Sequence, residues 1–203
     1  WKGSYKDDNL VSKTEYSYYE NGQMEYEENY KDGKEDGKQT YWYENGQKWK
    51  EENWENGKLV GKWFIWHKNG EIDSELNFKD NKEHGKQTSW HEDGQIRWDL
   101  NYKDGKADGV FTWWHENGQK RSEITYKDDN LVIQTQYAYN DNSQILTIKN
   151  YSGLPTDENL VSQIQYVYNY DSQISFIRNY SGLSTPENLV GYTALGYYGN
   201  GLK

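Results

Sequence analysis

Large rings recur along this chain at a fixed interval, set among charged and amide residues. The phrase WYENGQK at Trp42 to Lys48 returns as WHKNGEI at Trp66, WHEDGQI at Trp90 and WHENGQK at Trp114, with YYENGQM upstream at Tyr18. The aromatic before the turn forms one column: Tyr18, Trp42, Trp66, Trp90, Trp114, Tyr139, Tyr168 and Tyr197. A second column holds Tyr5, Tyr30, Trp54, Phe78, Tyr102, Tyr126, Tyr151 and Tyr180. The interval is 24 residues as far as Trp114, then 25 to Tyr139 and 29 to Tyr168 and to Tyr197. A period of this length marks a repeat array. All the added length follows the second-column aromatic, where YKDGKEDGK gives way to YKDDNLVIQ and YSGLPTDENLVSQ, which makes that segment the loop side. Residues 1–130 read as regular repeats, and 131–203 as longer, divergent repeats of the same array.

Asn-Gly between two short aromatic runs predicts a β-hairpin. Loop length then decides which side chains share a face, because a one-residue slip exchanges the two faces of a strand. A two-residue loop at Asn45-Gly46 places Trp42 with Gln47, Trp49 and Glu51, positions that are mostly charged in other repeats. A three-residue loop, Glu44-Asn45-Gly46 with glycine at the left-handed bulge position, places Trp42 with Lys48, Lys50, Glu52 and Trp54, whose counterparts include Ile72, Leu76 and Phe78. The apolar counterparts favour the second and put both aromatic columns on one face. The expected fold is all-β, an elongated single antiparallel sheet of consecutive hairpins, with equivalent residues two strands or ~9.6 Å apart. The rings are its expected spine, each burying roughly 150–250 Å² where enclosed.

Composition narrows the partners. Only 33% of the chain is hydrophobic while 17% is aromatic, which does not suit a thick two-layered core. The formal charge of -10, with lysines interspersed among acids, repels a phosphate backbone, so nucleic acid is not an expected partner. No stretch approaches the roughly 18 apolar residues of a transmembrane helix. Without cysteine there is neither a disulfide framework nor a thiolate metal site.

The units YKDGKEDGKQTYWYENGQK and YKDGKADGVFTWWHENGQK resemble the bacterial variant of the MORN repeat, the type labelled a YwqK-like antitoxin component. The central units from Tyr18 to Tyr126 match best, through Gly37, Gly61, Gly85 and Gly109 and the Asn-Gly turns. Later units depart from it, with Asn142-Ser143 and Asp171-Ser172 in place of Asn-Gly. The resemblance implies an elongated sheet of consecutive hairpins used for protein interaction or assembly.

Residue chemistry points away from catalysis. His67, His91 and His115 recur at the repeat period, but column neighbours ~9.6 Å apart do not converge on one zinc with bonds of ~2.0–2.1 Å; a solvated ladder is expected. The acidic column Glu27, Glu51, Glu75, Asp99 and Glu123 has a spacing compatible with an inverting carboxylate pair at ~6.5–9.5 Å. Every repeat carries it, however, as a surface does and a unique active site does not. DGKEDG at Asp32 has the oxygens of a calcium loop without the EF-hand spacing. No catalytic residue, metal or cofactor is expected.

In the late units Ile145, Leu146 and Ile148, and again Ile174, Phe176 and Ile177, make both sides of the strands apolar, while charge thins out after Leu131. These six form the expected interface, covered by a partner or by the long loops. The sequence starts within a returning strand at Trp1 and stops after a turn at Lys203. It is either a window on a longer array or a chain whose ends meet those of its neighbours head to tail. The expected function is a noncatalytic structural or protein-interaction scaffold, extracellular or envelope-associated, that takes a protein partner or copies of itself and assembles, in one form, into filaments. The alternative is a glycan or cell-wall binding module with a ring cage at each repeat junction.

Overall fold

Two kinds of tight turn alternate along the chain and set its path. The computed structural model describes residues 2–6, 9–169, 172–183 and 185–194, so Tyr197 of the first column and both chain ends, Trp1 and Gly201 to Lys203, lie outside the described residues. At the Asn-Gly turn, Gly46 N–H donates to Tyr43 C=O and Tyr43 N–H donates to Gln47 C=O, each at 2.8 Å, which closes a loop over Glu44, Asn45 and Gly46. Gly46 has φ 82°, in the left-handed region that glycine enters without steric cost. The loop therefore has three residues. Return turns are tighter: Lys31 pairs with Lys34 across Asp32 and Gly33, both at positive φ, 48° and 76°, the type I′ form whose twist matches that of the strands.

In the first unit each repeat is one long hairpin followed by one of these return turns. Strand Gly37–Trp42 pairs antiparallel with Lys48–Glu55. After Asn56-Gly57 comes the short strand Lys58–Leu59, then the next long hairpin, Gly61–Trp66 with Ile72–Lys79. Adjacent hairpins join through Lys50↔Ile65 and Glu51↔Phe64.

The chain forms two compact units, residues 1–109 with 116–118, and residues 110–115 with 119–203. In the first, antiparallel hairpins follow one another from Asn9–Tyr18 with Met24–Lys31 to Gly85–Trp90 with Ile96–Lys103. In the second, Lys120–Lys127, Asn130–Tyr139, Ile145–Tyr151, Leu160–Tyr168, Ile174–Ser181 and Leu189–Ala194 pair in chain order, all antiparallel. The inserted loops each carry a short 3-10 turn, Asp157–Asn159 and Pro186–Asn188. No α-helix occurs among the described residues.

The two aromatic columns do not share a face, which corrects the sequence-based expectation. Pairing runs Gly37↔Trp54, Gln39↔Glu52 and Tyr41↔Lys50, then jumps to Trp42↔Lys48, leaving Trp49 as an extra residue. The same skip falls at Asp73, Arg97 and Leu146. Such a bulge shifts the alternation by one residue. Trp42 keeps Lys48 as its neighbour, while Lys50, Glu52 and Trp54 pass to the other side. Ring contacts agree: Trp66 meets Phe64 at 5.7 Å between centroids, whereas Phe78 meets Trp63 at 5.4 Å, and successive residues of a strand point to opposite faces.

Buried side chains are few and largely polar. Among the described residues Leu59, Ala107, Phe111, Tyr151, Leu160 and Tyr180 are the buried apolar ones, against Gln39, Thr40, Glu52, Ser74, Gln87, Thr88, Ser89, Thr112, Gln134 and Gln163. Gln39 shows why polarity is tolerated. Its amide donates to Asn29 C=O at 2.7 Å and accepts from Asn29 N–H at 2.5 Å, replacing a ladder pair where the chain bends away at Asp36. Gln87 does the same at Asn77, at 2.8 and 2.6 Å. Between them Trp63 occupies the equivalent position, and Phe111 occupies it after Gln87, so the true period is two repeats: Glu35 with Gln39, Leu59 with Trp63, Glu83 with Gln87, Ala107 with Phe111.

Candidate functional site

On the Trp42 face of the first unit three members of the acidic column, Glu51, Glu75 and Asp99, are neutralised within the sheet. Glu51 accepts from Lys38 and Lys48, both at 2.7 Å, Glu75 from Lys62 at 2.5 Å and Asp99 from Lys86 at 3.0 Å. Burial alone would raise the Glu51 carboxyl, but the two ammonium groups outweigh it and hold its pKa below the ordinary carboxylate value. A carboxylate so held is a structural ion-pair partner and a poor proton donor. The aromatics of this face, Trp42, Trp66 and Trp90, are half-buried, while Tyr18 is 58% exposed. The Lys48 ammonium stands 5.3 Å from the centre of the Trp66 ring.

The Trp54 face holds a cage of rings around a cation of the chain itself. Lys50 Nζ lies 4.0 Å from the Tyr41 centroid, 5.6 Å from Trp49 and 5.7 Å from Trp63, within the range of cation–π attraction. It also pairs with the buried carboxylate of Glu52 at 2.6 Å, which accepts from Trp54 Nε1 at 2.8 Å. Next to it, Glu28 accepts from the hydroxyls of Tyr30 and Tyr41, each at 2.7 Å. Burial, with those carboxylate hydrogen bonds, pushes both phenols well above their ordinary pKa. Lys50 thus fills the ring cage that a cationic ligand would need. Glu35 is raised by burial and by the neighbouring charges of Glu52 and Glu28, and Glu83 by burial. Tyr30, Trp54, Phe78 and Tyr102 are all half-buried.

The histidines do not form the uniform solvated ladder that was expected: His67 clasps the neighbouring hairpin, whereas His91 and His115 do not. His67 Nε2 is 3.1 Å from Trp90 C=O, a role filled one repeat earlier by Tyr43 OH, which donates to Trp66 C=O at 2.8 Å, and before that by Tyr19 OH to Trp42 C=O at 2.7 Å. His91 Nε2 is buried without a hydrogen-bond partner, and His115 is exposed. Turn tips are linked in the same way: Asn21, Asn45 and Asn69 donate through Nδ2 to the carbonyls of Glu44, Lys68 and Glu92 at 2.9, 3.0 and 3.2 Å. Among the described residues no group of three or more His, Asp or Glu side chains is placed to hold a metal ion. Asp36 of the DGKEDG stretch accepts from Asn56 N–H at 3.0 Å, bracing the next return turn.

In the second unit the face that corresponds to the Trp42 side is apolar beyond Lys120–Lys127. Tyr137↔Ile148, Ile148↔Ile164, Tyr139↔Ile145, Tyr166↔Ile177 and Tyr168↔Ile174 are cross-strand pairs, so one side is a field of isoleucine and tyrosine. Ile148 and Ile177 stand where the acidic column runs in earlier repeats. Four of the six predicted interface residues, Ile145, Ile148, Ile174 and Ile177, belong to this Tyr139 face and are half-buried. Leu146 is the bulge residue, 38% exposed, and Phe176 lies on the opposite face across from Val167, 41% exposed. Tyr139 OH donates to Lys120 C=O and Tyr168 OH to Ile145 C=O, both at 2.8 Å. Trp114, Tyr126, Tyr139 and Tyr168 are half-buried, and Tyr151 and Tyr180 are buried. Sequence reading found the isoleucines from their clustering; it missed the glutamines at Gln39 and Gln87, although GKQT recurring after 48 residues was the available signal.

The profile of the MORN repeat variant matches five consecutive segments, residues 12–32, 35–56, 59–80, 83–104 and 107–128. No curated protein matches the chain. Among solved structures, the chain is similar to TcdB2-TccC3-TEV, at 14% identity and a TM-score of 0.28 over 84% of this chain and 11% of that one. TcdB2-TccC3-Cdc42 is similar at 12% identity and a TM-score of 0.23, over 86% and 11%. A porin-like protein from Bacteroides uniformis is similar at 10% identity and a TM-score of 0.22, over 90% of both chains. The chain spans only 11% of the length of the two TcdB2-TccC3 chains. Among the described residues no helix is long and apolar enough to cross a membrane.

Proposed function

The chain belongs to the MORN repeat variant family, and from that premise we propose that it is a noncatalytic scaffold for protein interaction, with the isoleucine–tyrosine face of the second unit as its contact surface. The observation that carries this reading is the exchange along one column: Glu51, Glu75, Asp99 and Glu123 are held by lysines, and Ile148 and Ile177 take the place of the acids in the last repeats. A sheet face with no second layer leaves such residues half in water, and covering them by a partner gains about 25 cal/mol per Å² of apolar area. Interfaces differ from ordinary surface in having few charges and many aromatics at their centre, which describes Tyr137, Tyr166 and the isoleucines beside them.

A second copy of the chain is the first partner to test, because one face rich in Ile and Tyr complements itself. Sedimentation velocity over a concentration series should show association that the double substitution Ile148→Glu with Ile177→Glu abolishes. The first unit already carries glutamate at that column, so far-UV circular dichroism should be unchanged. Association that survives the double substitution, or a chain that stays monomeric throughout, removes self-pairing through this face.

A further inference from the structure

The opposite side of the second unit carries an open groove that the scaffold reading does not use. Trp113, His115, Arg121, Ser122, Gln134 and Gln136 line it around a volume of about 510 Å³. Gln134 is only 8% exposed, yet its amide has no hydrogen-bond partner among the described residues, and the Gln136 amide and Arg121 guanidinium are likewise unpaired there. Among the described residues the sealed side-chain atoms without a partner are Trp63 Nε1, His91 Nε2 and Arg97 Nε, so the Gln134 amide is open to the groove, where its donors and acceptor can meet a ligand. The contrast with Arg97, the counterpart of Arg121 24 residues earlier, is direct. Arg97 donates to Asp73 at 3.0 Å and to Ser89 at 2.6 Å.

A second groove adjoins the first and shares Gln136 and an edge of Tyr137 with it, adding Ala138, Thr147, Lys149 and Gln163. Strand pairing sets Ser122, Gln136, Lys149 and Gln163 in one row across four strands. Lys149 has no ion pair among the described residues, and Gln163, 4% exposed, has no amide partner there. No carboxylate lines either groove. Glu123 is held elsewhere by Lys120 Nζ and Tyr137 OH, each at 2.6 Å. In a chain of net charge -10, two free cations in a trough without acids are a local inversion of sign.

We propose that this row binds an acidic saccharide, a glycan bearing uronic acid residues. Arg121 and Lys149 pair with carboxylates of separate sugars, since they sit two strands or ~9.6 Å apart. The Gln134, Gln136 and Gln163 amides and the Ser122 hydroxyl meet sugar hydroxyls, for which neutral groups that both donate and accept are suited. The Trp113 ring offers an apolar face to the C–H side of a pyranose. A nucleic acid would need more cations than these two, and an acidic peptide would find neither an open strand edge nor alternating apolar pockets along the row.

Calorimetric titration of the chain with a galacturonic acid hexamer tests this, with the fully methyl-esterified hexamer and hexaglutamate as controls. The acid hexamer should bind, the neutral ester should not, and Arg121→Gln and Lys149→Gln should each weaken binding by about tenfold, the worth of one charge-assisted hydrogen bond. Ile148→Glu with Ile177→Glu, on the other face, should leave it unchanged, so this inference and the scaffold reading fail separately. No binding of the acid hexamer, binding that neither cation substitution weakens, or equal binding of the ester or of hexaglutamate overturns the proposal.

Discussion

At the scale of single residues, the polar interior carries more of the specificity than the rings. Gln39 and Gln87 each serve two backbone groups of a facing strand. Gln39→Ala leaves Asn29 N–H and C=O without those partners and is expected to cost about 2–4 kcal/mol, measured by urea unfolding. The raised Glu83 carboxyl gives a pH signature of known sign. Its folded pKa lies above the ordinary 4.5 because of burial, so its contribution is full below the unfolded value and is lost as pH rises through the folded one. Glu83→Gln should therefore raise Tm at neutral pH and converge on the parent in acid. Glu51 is shifted the other way by Lys38 and Lys48. Glu51→Gln should lower Tm at neutral pH, and that difference should vanish as pH falls through the depressed folded pKa.

At the scale of the hairpin, turn chemistry sets register and the bulge sets the faces. Ser143 adopts φ 64° and Ser172 φ 61° where earlier repeats have glycine. Ser143 N–H still donates to Asn140 C=O at 2.9 Å and Asn140 N–H to Gln144 C=O at 2.9 Å, so the three-residue loop persists despite the strain. Ser143→Gly is expected to stabilise the chain by about 0.5–1 kcal/mol, and Gly46→Ser to destabilise it by about 1 kcal/mol, since a non-glycine residue pays for the left-handed region. Paired denaturant curves of the two variants check both signs. A Cβ on Gly46 would meet Gln23 Oε1 at 2.8 Å, the movable end of a side chain, so the backbone term dominates.

At the scale of the whole molecule, repeats that contact only their sequence neighbours do not unfold as one body. Trp113 and Trp114 are the last tryptophans in the sequence, and both precede the strands that fill most of the second unit. Tryptophan fluorescence therefore reports mainly on the first unit, whereas far-UV circular dichroism reports on both. Urea curves from the two probes are expected not to coincide, the ordinary sign that unfolding is not two-state. Coincident curves would show the units to be one cooperative system.

The sequence by itself determined the hairpin array, the period, the three-residue turn and the loop side of the insertions. Each of these is encoded locally, in Asn-Gly and Asp-Gly pairs and in rings returning at a fixed interval. It also marked Ile145, Ile148, Ile174 and Ile177 as an apolar cluster, because isoleucines stand out against a charged background. Tertiary structure alone decided the rest. One extra residue at Trp49, Asp73 or Arg97 moves the second aromatic column to the other face, and nothing in an alternating pattern marks where a bulge will fall. Whether a glutamine amide or an arginine finds a partner depends on strands brought together from different repeats. That is why Gln39 and Gln136, or Arg97 and Arg121, look alike in the sequence and differ in the fold.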